Sequence, residues 1–374
     1  MDFNGAFAFL TQADRLKSVD RANVLMDGTR AENSAEHSWH VALFGMVFGA
    51  SDRAIAMLLL HDLVEIDVGD HPIHLPVGAG VAAAEQAAAE RLFGLWPGGA
   101  AMLDLWREFE AGVSADARMA KRLDHVQPMF QVLLADQPRP DHVQIVRDNM
   151  AFGRAARLRQ EWPDAMAAAD QLLAGGVVGG DFGRRLDFLA QADRLKSVLR
   201  ATRIHSGRRE NSAEHSWHVA LWALILGGSA RAVRMLILHD LVEVDTGDIP
   251  IHAGDGSSHS GAAQIAAEQA AADRLFGLLS AGQGAAFRAI WDEFGANVSP
   301  DAVFAKSLDR AQPVWLNICA GGGTWGDYNV TWDQLQSRVA AKIERGAPEL
   351  WAWLEPQARA FFEAAPASTG AAIG

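Results

Sequence analysis

The chain has 374 residues, of which 49% are hydrophobic and 21% charged, a composition typical of soluble globular proteins with room for two domains. It carries 33 basic and 46 acidic residues, and the formal net charge of −13 argues against a nucleic-acid polymer as its main partner. Its single cysteine, Cys319, excludes a disulfide framework and a cysteine-based zinc site, which favours a reducing, cytoplasmic location.

The two ends of the chain and its apolar runs give expectations about targeting. The first residues lack a basic segment followed by an apolar one, so we expect no secretory signal. No uncharged apolar run approaches the roughly 20 residues that a membrane helix needs, so we expect no membrane partner. The small and polar segment 366–374 predicts a disordered tail.

An internal repeat decides the predicted domain organisation. Three motifs occur twice, at offsets of 178 or 179 residues: QADRLKSV at 12–19 and 191–198, ENSAEHSWHVAL at 32–43 and 210–221, and LHDLVE at 60–65 and 238–243. A period this long indicates duplication of a whole domain rather than a solenoid. The glycine-rich segment 172–182 predicts the linker, and we assign one domain to residues 1–176 and a second to 181–365.

The first helices of each copy follow from the spacing of apolar residues. Segment 35–50 places them three and four residues apart, and Ser34 occupies the expected N-cap position. Segment 53–66 is almost continuously apolar and predicts a buried helix that ends near Gly69.

Further helices are predicted downstream. Segment 81–96 is rich in alanine, the residue that most favours helix, and segment 116–130 predicts another helix, broken at Pro128. No segment shows sustained alternation of apolar and polar residues. The predicted fold is therefore all-α, with two tandem helical bundles related by internal duplication.

Each copy presents the same set of metal-capable side chains. The set comprises His37, His61, Asp62 and Asp124 in the first copy, and His215, His239, Asp240 and Asp309 in the second. Imidazole nitrogens and carboxylate oxygens together suit a divalent cation, and we expect one per domain, chosen from Mn, Co, Fe, Ni, Zn or Mg. An unpaired histidine and aspartate would be costly to bury within an apolar helix, so a metal gives a physical reason for the HD dipeptide. Taken alone, each histidine has an ordinary interpretation as a satisfied polar group.

Two glutamates and two further histidines recur near these sets. Glu65 and Glu243 lie one helical turn beyond the histidine of each HD dipeptide, on the same face, within reach of a general acid/base role towards the attacking water. His40 and His218 lie on a neighbouring side of their helix, and we interpret them as packing residues.

The order of these motifs resembles the HD-superfamily phosphohydrolases, and within them the branch that contains the bacterial 5′-deoxynucleotidases. The motifs concerned are RLKSVDR, TRAENSAEHSWHVAL, LLLHDLVEIDVGDHP and KRLDHVQP. The resemblance implies the metal set given above and proton transfer by the two glutamates. It also implies that Arg21 and Arg200 contact the phosphate, and that Asp70 and Asp248 lie near the sugar. Members of this branch often pair as homodimers, so we expect the two domains to form an intrachain pseudo-dimer.

These features predict a metal-dependent phosphohydrolase, a phosphomonoesterase acting on a (deoxy)nucleoside 5′-monophosphate or a related small phosphate ester. In this hypothesis Arg30 in the first copy and Arg208 in the second help Arg21 and Arg200 to neutralise the phosphate.

Several alternatives stay open. The deoxynucleotidases follow their arginine with a tryptophan, where this chain has Ala22 and Ala201, so the nucleotide is undecided. An oxidative di-iron site would need more histidines between the HD pair and the last aspartate than each copy offers. A nucleotide-binding, regulatory protein with one active half is the other alternative. His74 and His252 are either additional site residues or ordinary loop histidines.

Overall fold

The computed structural model describes residues 1–72, 78, 80–252 and 261–364. The first half has 3-10 helical turns at Asp14–Ser18, His61–Val64 and Arg154–Arg157, and contains α1 (Phe3–Ala13), β1 (Asp20–Val24), β2 (Ala31–Asn33), α2 (Ser34–Val47), α3 (Asp52–Leu60), α4 (Glu65–Val68), α5 (Val81–Phe93), α6 (Gly99–Ala111), α7 (Ala115–Leu133), α8 (Pro140–Ala151), α9 (Leu158–Glu161) and α10 (Pro163–Leu173). The second half has a 3-10 turn at Arg194–Ser197 and a π-helical turn at Gln336–Ala340, and contains α11 (Gly180–Asp193), β3 (Leu199–Arg203), β4 (Arg209–Asn211), α12 (Ser212–Ile225), α13 (Ala230–Leu238), α14 (Glu243–Thr246), α15 (Ala262–Phe276), α16 (Ala281–Ala296), α17 (Pro300–Cys319), α18 (Thr324–Asp327), α19 (Trp332–Leu335), α20 (Ala341–Gly346) and α21 (Pro348–Ala364). Helices dominate both halves in the same order, so the prediction of an all-α tandem fold is confirmed.

The connection between the halves lies where the sequence predicts it. Helix α10 ends at Leu173 and α11 begins at Gly180, and Gly175 between them has a φ of +76°, a conformation that favours glycine. The division into domains 1–176 and 181–365 remains our proposal. The predicted tail, 366–374, lies outside the described residues.

A short antiparallel hairpin, which the sequence does not predict, precedes the central helix of each half. Strand β1 pairs with β2, with Asp20 opposite Asn33, and β3 pairs with β4 in the equivalent register. Strands of three to five residues are too short to show a clear alternation. They matter for the site because Arg21 lies on β1 and Arg200 on β3, beside the starts of α2 and α12.

The start of α2 differs from the prediction that Ser34 is its N-cap. Asn33, in extended backbone at the end of β2, accepts hydrogen bonds at Oδ1 from the backbone N–H groups of Ala35 and Glu36. The Glu36 carboxylate in turn accepts from the Asn33 N–H at 2.7 Å, which completes a capping box. The Ser34 prediction is wrong by one residue, and the Ser34 hydroxyl is therefore available for another partner.

Two other helix predictions need correction. The segment predicted as one helix is divided, because α3 ends at Leu60 and the HD dipeptide lies in the 3-10 turn His61–Val64 before α4. Helix α7 is not broken at Pro128, which lies inside it. A proline removes one backbone donor, and the fully buried Leu123 and Phe130 on either side anchor this helix in the core.

The two halves pack together through their central helices. Helix α2 is buried at every position and α12 at nearly every one, including the polar residues of their first two turns. The indole N–H of Trp39 donates to the carbonyl of Ile237 in the other half at 3.0 Å, and Trp217 donates to Leu59 at 3.1 Å. The interface is thus reciprocal. Within the described ranges, neither these helices nor any other is both long and apolar enough to cross a membrane.

Candidate metal centres

The first half brings its predicted metal-binding side chains together. One donor atom from each of His37, His61 and Asp124 lies within 4.8 Å of the others. The Asp124 Oδ1 atom is 3.3 Å from His37 Nε2 and 3.5 Å from His61 Nε2. Asp62 borders this group, since its Oδ1 lies 3.1 Å from His61 Nε2. The four residues come from α2, the HD turn and α7, three segments that only the tertiary fold makes neighbours.

The second half repeats this arrangement. Donor atoms of His215, His239 and Asp309 again lie within 4.8 Å of one another. The Asp309 Oδ1 atom is 3.2 Å from His215 Nε2 and 3.7 Å from His239 Nε2, and Asp240 Oδ1 is 3.1 Å from His239 Nε2. Both predicted donor sets are therefore assembled, and they remain our proposed metal ligands.

The hydrogen bonding of the histidines in the HD dipeptides fits a cation between the donors. His61 Nδ1 donates to the carbonyl of Leu58 at 2.8 Å, which leaves Nε2 as the unprotonated nitrogen of the neutral ring. This Nε2 is buried and has no hydrogen-bond partner, and the same holds for His239, whose Nδ1 contacts Leu236 at 2.8 Å. A buried, unpartnered nitrogen facing two carboxylates is what a divalent metal would satisfy.

The electrostatic environment of His61 also favours a cation. Burial lowers the pKa of His61, but the negative charges of Asp62 and Asp124 outweigh burial and raise this pKa to about 9. His239 has a pKa raised to about 9 because Asp240 and Asp309 again outweigh burial. The negative potential that attracts a proton to Nε2 also attracts a metal ion.

A third cluster of possible ligands has a different explanation. Donor atoms of Glu32, His40 and Asp193 also lie within 4.8 Å of one another. The ammonium group of Lys196 occupies the middle of this cluster, 2.6 Å from Glu32 Oε1 and 3.0 Å from His40 Nδ1. A cation is thus already present. His40, predicted as a packing residue, is buried but is also hydrogen-bonded to this lysine.

The predicted acid/base glutamates lie beside the donor sets. The Ser34 hydroxyl donates to Glu65 Oε2, and Ser212 donates to Glu243 Oε2 at 2.5 Å. Burial raises the pKa of Glu65 well above its ordinary value, and the negative charge of Asp62 adds to this shift. The same causes, with Asp240 in place of Asp62, raise the pKa of Glu243. A carboxylate with a raised pKa takes up a proton more readily, as a general base must.

One arginine in each half faces both the donor set and the glutamate. Arg21 Nη1 donates to Asp62 Oδ2 at 2.8 Å and lies 3.5 Å from Glu65 Oε1 and 3.3 Å from Asp70 Oδ1. In the second half, Arg200 Nη1 is at 2.7 Å from Asp240, 3.7 Å from Glu243 and 3.3 Å from Asp248. The structure thus gathers the predicted substrate residues of these two sets next to the candidate metal centres.

The comparison with known proteins agrees with this geometry. A model of the HD domain matches residues 13–166 and 192–351, which together make up most of the chain. The chain belongs to the HD-domain family. The family predicted from the motifs is confirmed, and each HD match lies within one of the two halves.

Individual relatives of this HD-domain chain cover parts of it. It is 29% identical to the 5′-deoxynucleotidase HDDC2 of Xenopus laevis over 133 residues, and 29% identical to that of Homo sapiens over 131 residues. These matches cover 33% of this chain and 66% and 64% of those proteins, slightly less than two thirds of their length. A crystal structure described as a predicted metal-dependent phosphohydrolase from Magnetospirillum magnetotacticum MS-1 is 37% identical, with a TM-score of 0.45, and the match covers 49% of this chain and 96% of that one.

Two arginines predicted to bind phosphate lie elsewhere in the HD-domain pair. Arg30 makes two hydrogen bonds to the Glu36 carboxylate, at 2.6 and 2.8 Å, and a third to the backbone carbonyl of Lys196 in the other half. Arg208 pairs with Glu214 in the same way and donates to the carbonyl of Lys17. The structure thus does not bring Arg30 and Arg208 to the donor sets, because buried carboxylates at the interface between the halves engage both guanidinium groups.

Each HD domain has a cavity beside its donor set. The cavity of the first half has a volume of about 530 Å³ and that of the second about 590 Å³. Both fall in the range of small-molecule sites. Lys121 and Lys306, which the sequence interpretation missed, line these cavities one helical turn before the last aspartate of each donor set. The repeated KRLD and KSLD segments carry a signal that would have found them.

The cavity of the second HD domain is lined by several basic side chains. Burial lowers the pKa of Lys306 to about 8, and Arg310 and Lys342 also line this cavity. His252 lines it too, and burial together with Arg338 and Arg310 lowers its pKa to about 4. His252 thus lies at the site, whereas His74 lies outside the described residues.

Proposed function

We propose that this metal-dependent phosphohydrolase of the HD type removes the phosphate from small (deoxy)nucleoside 5′-monophosphates, and that both halves do so. One observation carries the proposal. In each half one arginine lies within 4 Å of a proposed metal ligand, of a largely buried glutamate and of the aspartate proposed for the sugar. This arrangement combines charge neutralisation, proton transfer and substrate orientation in one cavity.

The metal is proposed as one divalent ion per half. His37, His61, Asp62 and Asp124 would hold it in the first half, and His215, His239, Asp240 and Asp309 in the second. When bound, such an ion polarises a phosphoryl oxygen and makes water a better nucleophile. The donor set has no thiolate, so Mn, Co, Fe, Ni, Zn and Mg all remain compatible with it.

The residues of the chain provide the remaining chemistry. The Arg21 guanidinium keeps donors besides Nη1, and these can bind phosphate oxygens as negative charge develops. Ser34 holds Glu65 Oε2 by a hydrogen bond, which leaves Oε1 to accept the proton of the attacking water. The protonated Glu65 can then return that proton to the leaving oxygen. Arg200, Ser212 and Glu243 have the same roles in the second half.

The size and the lining of the cavities support a nucleotide rather than a polymer. Volumes of about 530 and 590 Å³ suit one small ligand. Asp70 and Asp248 can accept hydrogen bonds from sugar hydroxyls. The wall of the first cavity includes Phe109 and Met129, apolar side chains against which a base can pack. The relatives named 5′-deoxynucleotidases point to the same substrate class.

A screen of phosphate release tests this function. Purified protein is supplied in turn with Mn, Co, Mg, Zn or Ca, and each deoxyribonucleoside and ribonucleoside 5′-monophosphate is offered beside non-nucleotide phosphate esters. We expect release from nucleoside 5′-monophosphates, loss on chelation, and better recovery with Mn or Co than with Ca, which prefers all-oxygen sites. Full activity after metal removal would contradict the hydrolase mechanism. Release from other esters alone would contradict the nucleotide assignment.

A further inference from the structure

A lysine from the second half is buried next to the metal centre of the first. The side chain of Lys196 has no exposed surface, and its ammonium lies 2.6 Å from Oε1 of Glu32 in the other half. It also donates to Asp193 of its own half and to His40 of the first at 3.0 Å. A buried ammonium with several acceptors is one that the fold holds in place.

Lys17 makes the reciprocal set of contacts. Its ammonium, also without exposed surface, lies 2.7 Å from Oε1 of Glu210 in the second half. It donates to Asp14 of its own half at 2.6 Å and to His218 of the second half at 3.0 Å. Each half therefore sends one lysine into the other, and each lysine meets the glutamate just before the central helix there.

The second oxygen of each glutamate faces a proposed metal ligand. Glu32 Oε2 lies 3.4 Å from His37 Nδ1, and neither atom has another hydrogen-bond partner. Glu210 Oε2 lies 3.6 Å from His215 Nδ1, which also contacts Gln312 Oε1 at 3.1 Å. In the first half one carboxylate thus lies between the lysine of the other half and the metal-binding histidine. In the second half Gln312 joins the two, because its Nε2 donates to Glu210 Oε1 at 2.8 Å while its Oε1 contacts His215 Nδ1.

The contact between Glu32 and His37 determines which ring nitrogen of His37 is unprotonated and can bind a metal. An ionised Glu32 can accept a hydrogen bond from the Nδ1–H of His37, which leaves the Nε2 lone pair free for a metal held beside Asp124. Without an opposing positive charge, a fully buried carboxylate would be neutral or would rearrange. The ammonium of Lys196, 2.6 Å from Glu32 Oε1, provides that positive charge.

We propose that Lys196 and Lys17 are positioning residues for the metal centre of the opposite half. Lys196 acts through Glu32 on His37, and Lys17 acts through Glu210 and Gln312 on His215. Each half therefore supplies its own metal donors, while a lysine of the opposite half supports the first histidine of the set. This inference rests on the metal-dependent function proposed above. It goes further because it identifies a residue of each half that positions a metal ligand in the other half.

Each lysine lies near the metal centre of the opposite half, and this makes it possible to distinguish a positioning role from a purely structural one. A lysine that only stabilised the interface would affect both metal centres to a similar extent when removed. A positioning lysine affects the centre of the other half and leaves that of its own half nearly unchanged. The pair also provides its own matched control, because Lys17 and Lys196 are equally buried and each contacts a glutamate, an aspartate and a histidine, with Gln131 as a further partner of Lys196.

The experiment uses full-length chains that keep one donor set. His239→Ala with Asp240→Ala leaves the first centre, and His61→Ala with Asp62→Ala leaves the second. Lys196→Met or Lys17→Met is added to each, and the affinity for Co is titrated by calorimetry and by the absorption of the bound ion. We expect Lys196→Met to weaken the first centre by about 10–100-fold, the usual scale for outer partners of a metal ligand, and Lys17→Met to weaken the second. Equal effects on both centres, or none, would overturn the proposal.

A second variant covers the case in which a lysine variant does not fold. Glu32→Gln keeps the shape of the side chain, and its amide N–H₂ would face His37 Nδ1 as a donor. His37 should then carry its proton on Nε2, which removes the lone pair offered to the metal. We expect the ¹⁵N spectrum of His37 to report this tautomer and the affinity of the first centre for Co to fall by at least about tenfold. An unchanged tautomer and affinity would overturn the proposal.

The outcomes also separate this proposal from the proposed function. If the parent chains bind Co and the crossed pattern appears while no phosphate ester is hydrolysed, the enzymatic function fails and the positioning role stands. If the parent chains hydrolyse nucleotides but lysine removal leaves both affinities unchanged, the positioning role fails alone. Parent chains that bind no Co at all would overturn the positioning role.

Discussion

Arg21 and Asp62 are joined by a hydrogen bond of 2.8 Å between Nη1 and Oδ2, so a phosphate-binding candidate is fixed to a metal-binding candidate. Arg200 and Asp240 repeat the bond at 2.7 Å. An arginine held in this way keeps its position without a substrate, and little reorganisation is needed when phosphate charge develops. The side chain of Arg21 is only 13% exposed, so its orientation is set by the fold.

The first prediction follows from this bond. In a chain whose only intact donor set is the first, Arg21→Gln should lower kcat/KM for phosphate release by roughly a hundredfold or more, the scale for loss of one charge-stabilising donor. Arg30→Gln is the matched comparison, since Arg30 pairs with Glu36 at the interface. It should reduce the thermal stability and change KM little. A KM raised equally by both variants would contradict the reassignment of Arg30.

The second prediction separates metal binding from proton transfer. Glu65→Gln together with Glu243→Gln should keep metal content and substrate binding while lowering kcat by roughly a hundredfold or more. Ser34→Ala with Ser212→Ala should cause a smaller loss, because these hydroxyls only orient the glutamates. Steady-state kinetics and metal analysis on the same preparations provide the measurement. If kcat is unchanged, the two glutamates serve the fold alone.

The repeated motifs explain why the fold and the donor sets were predictable. Duplication predicts the division into two domains, and the HD dipeptide within an apolar segment indicates a buried polar site. The contact between His37 and Asp124 spans 87 residues, yet the family resemblance places both in one set. These motifs can be recognised within a single copy of the repeat, so their interpretation does not depend on how the two halves pack together.

The interface could not be predicted because its partners depend on packing between the halves. Lys17 and Glu210 are 193 residues apart, and nothing in their local sequences links them. Arg30 is a second example. Its position near α2 is compatible with a role in a cavity or at an interface, and only the packing of the second half shows that it lies at the interface. The start of α2 shows a smaller limit of prediction from sequence. Asparagine and serine are both good N-cap residues, and only the backbone conformation decides that Asn33 rather than Ser34 caps this helix.

The third prediction concerns acid. Burial and then Lys17 lower the pKa of His218 to about 3, below the roughly 6.5 of an unfolded histidine. Between these two pKa values His218 takes up a proton when the protein unfolds. The contribution of neutral His218 to the free energy of unfolding is therefore complete above about pH 6.5 and is lost as the pH falls towards 3. From pH 6 to pH 4 the wild type should lose up to about 1.4 kcal/mol per pH unit more than His218→Gln. Denaturant unfolding at several pH values tests this, and parallel curves would contradict it.

The last prediction is that the chain binds two metal ions, one in each half. Both halves keep the complete donor set, and the distances within the two sets agree closely, as with 3.3 and 3.2 Å from the first histidine to the last aspartate. A centre that had become a packing relic would be free to replace these buried polar groups by apolar ones, which would avoid the cost of burial.

Metal analysis of the wild type should therefore give close to two ions per chain. Replacing His61 and Asp62 by alanine should lower the content to about one, and the matching change at His239 and Asp240 should do the same. A single ion that one double variant abolishes and the other leaves unchanged would mean that one half is only a structural partner. The two ions should differ in their rate of loss, because the Asp124 side chain is 23% exposed and that of Asp309 only 6%. A chelator should therefore remove the ion of the first half faster, and stopped-flow chelation of the two single-centre chains measures the two rates separately.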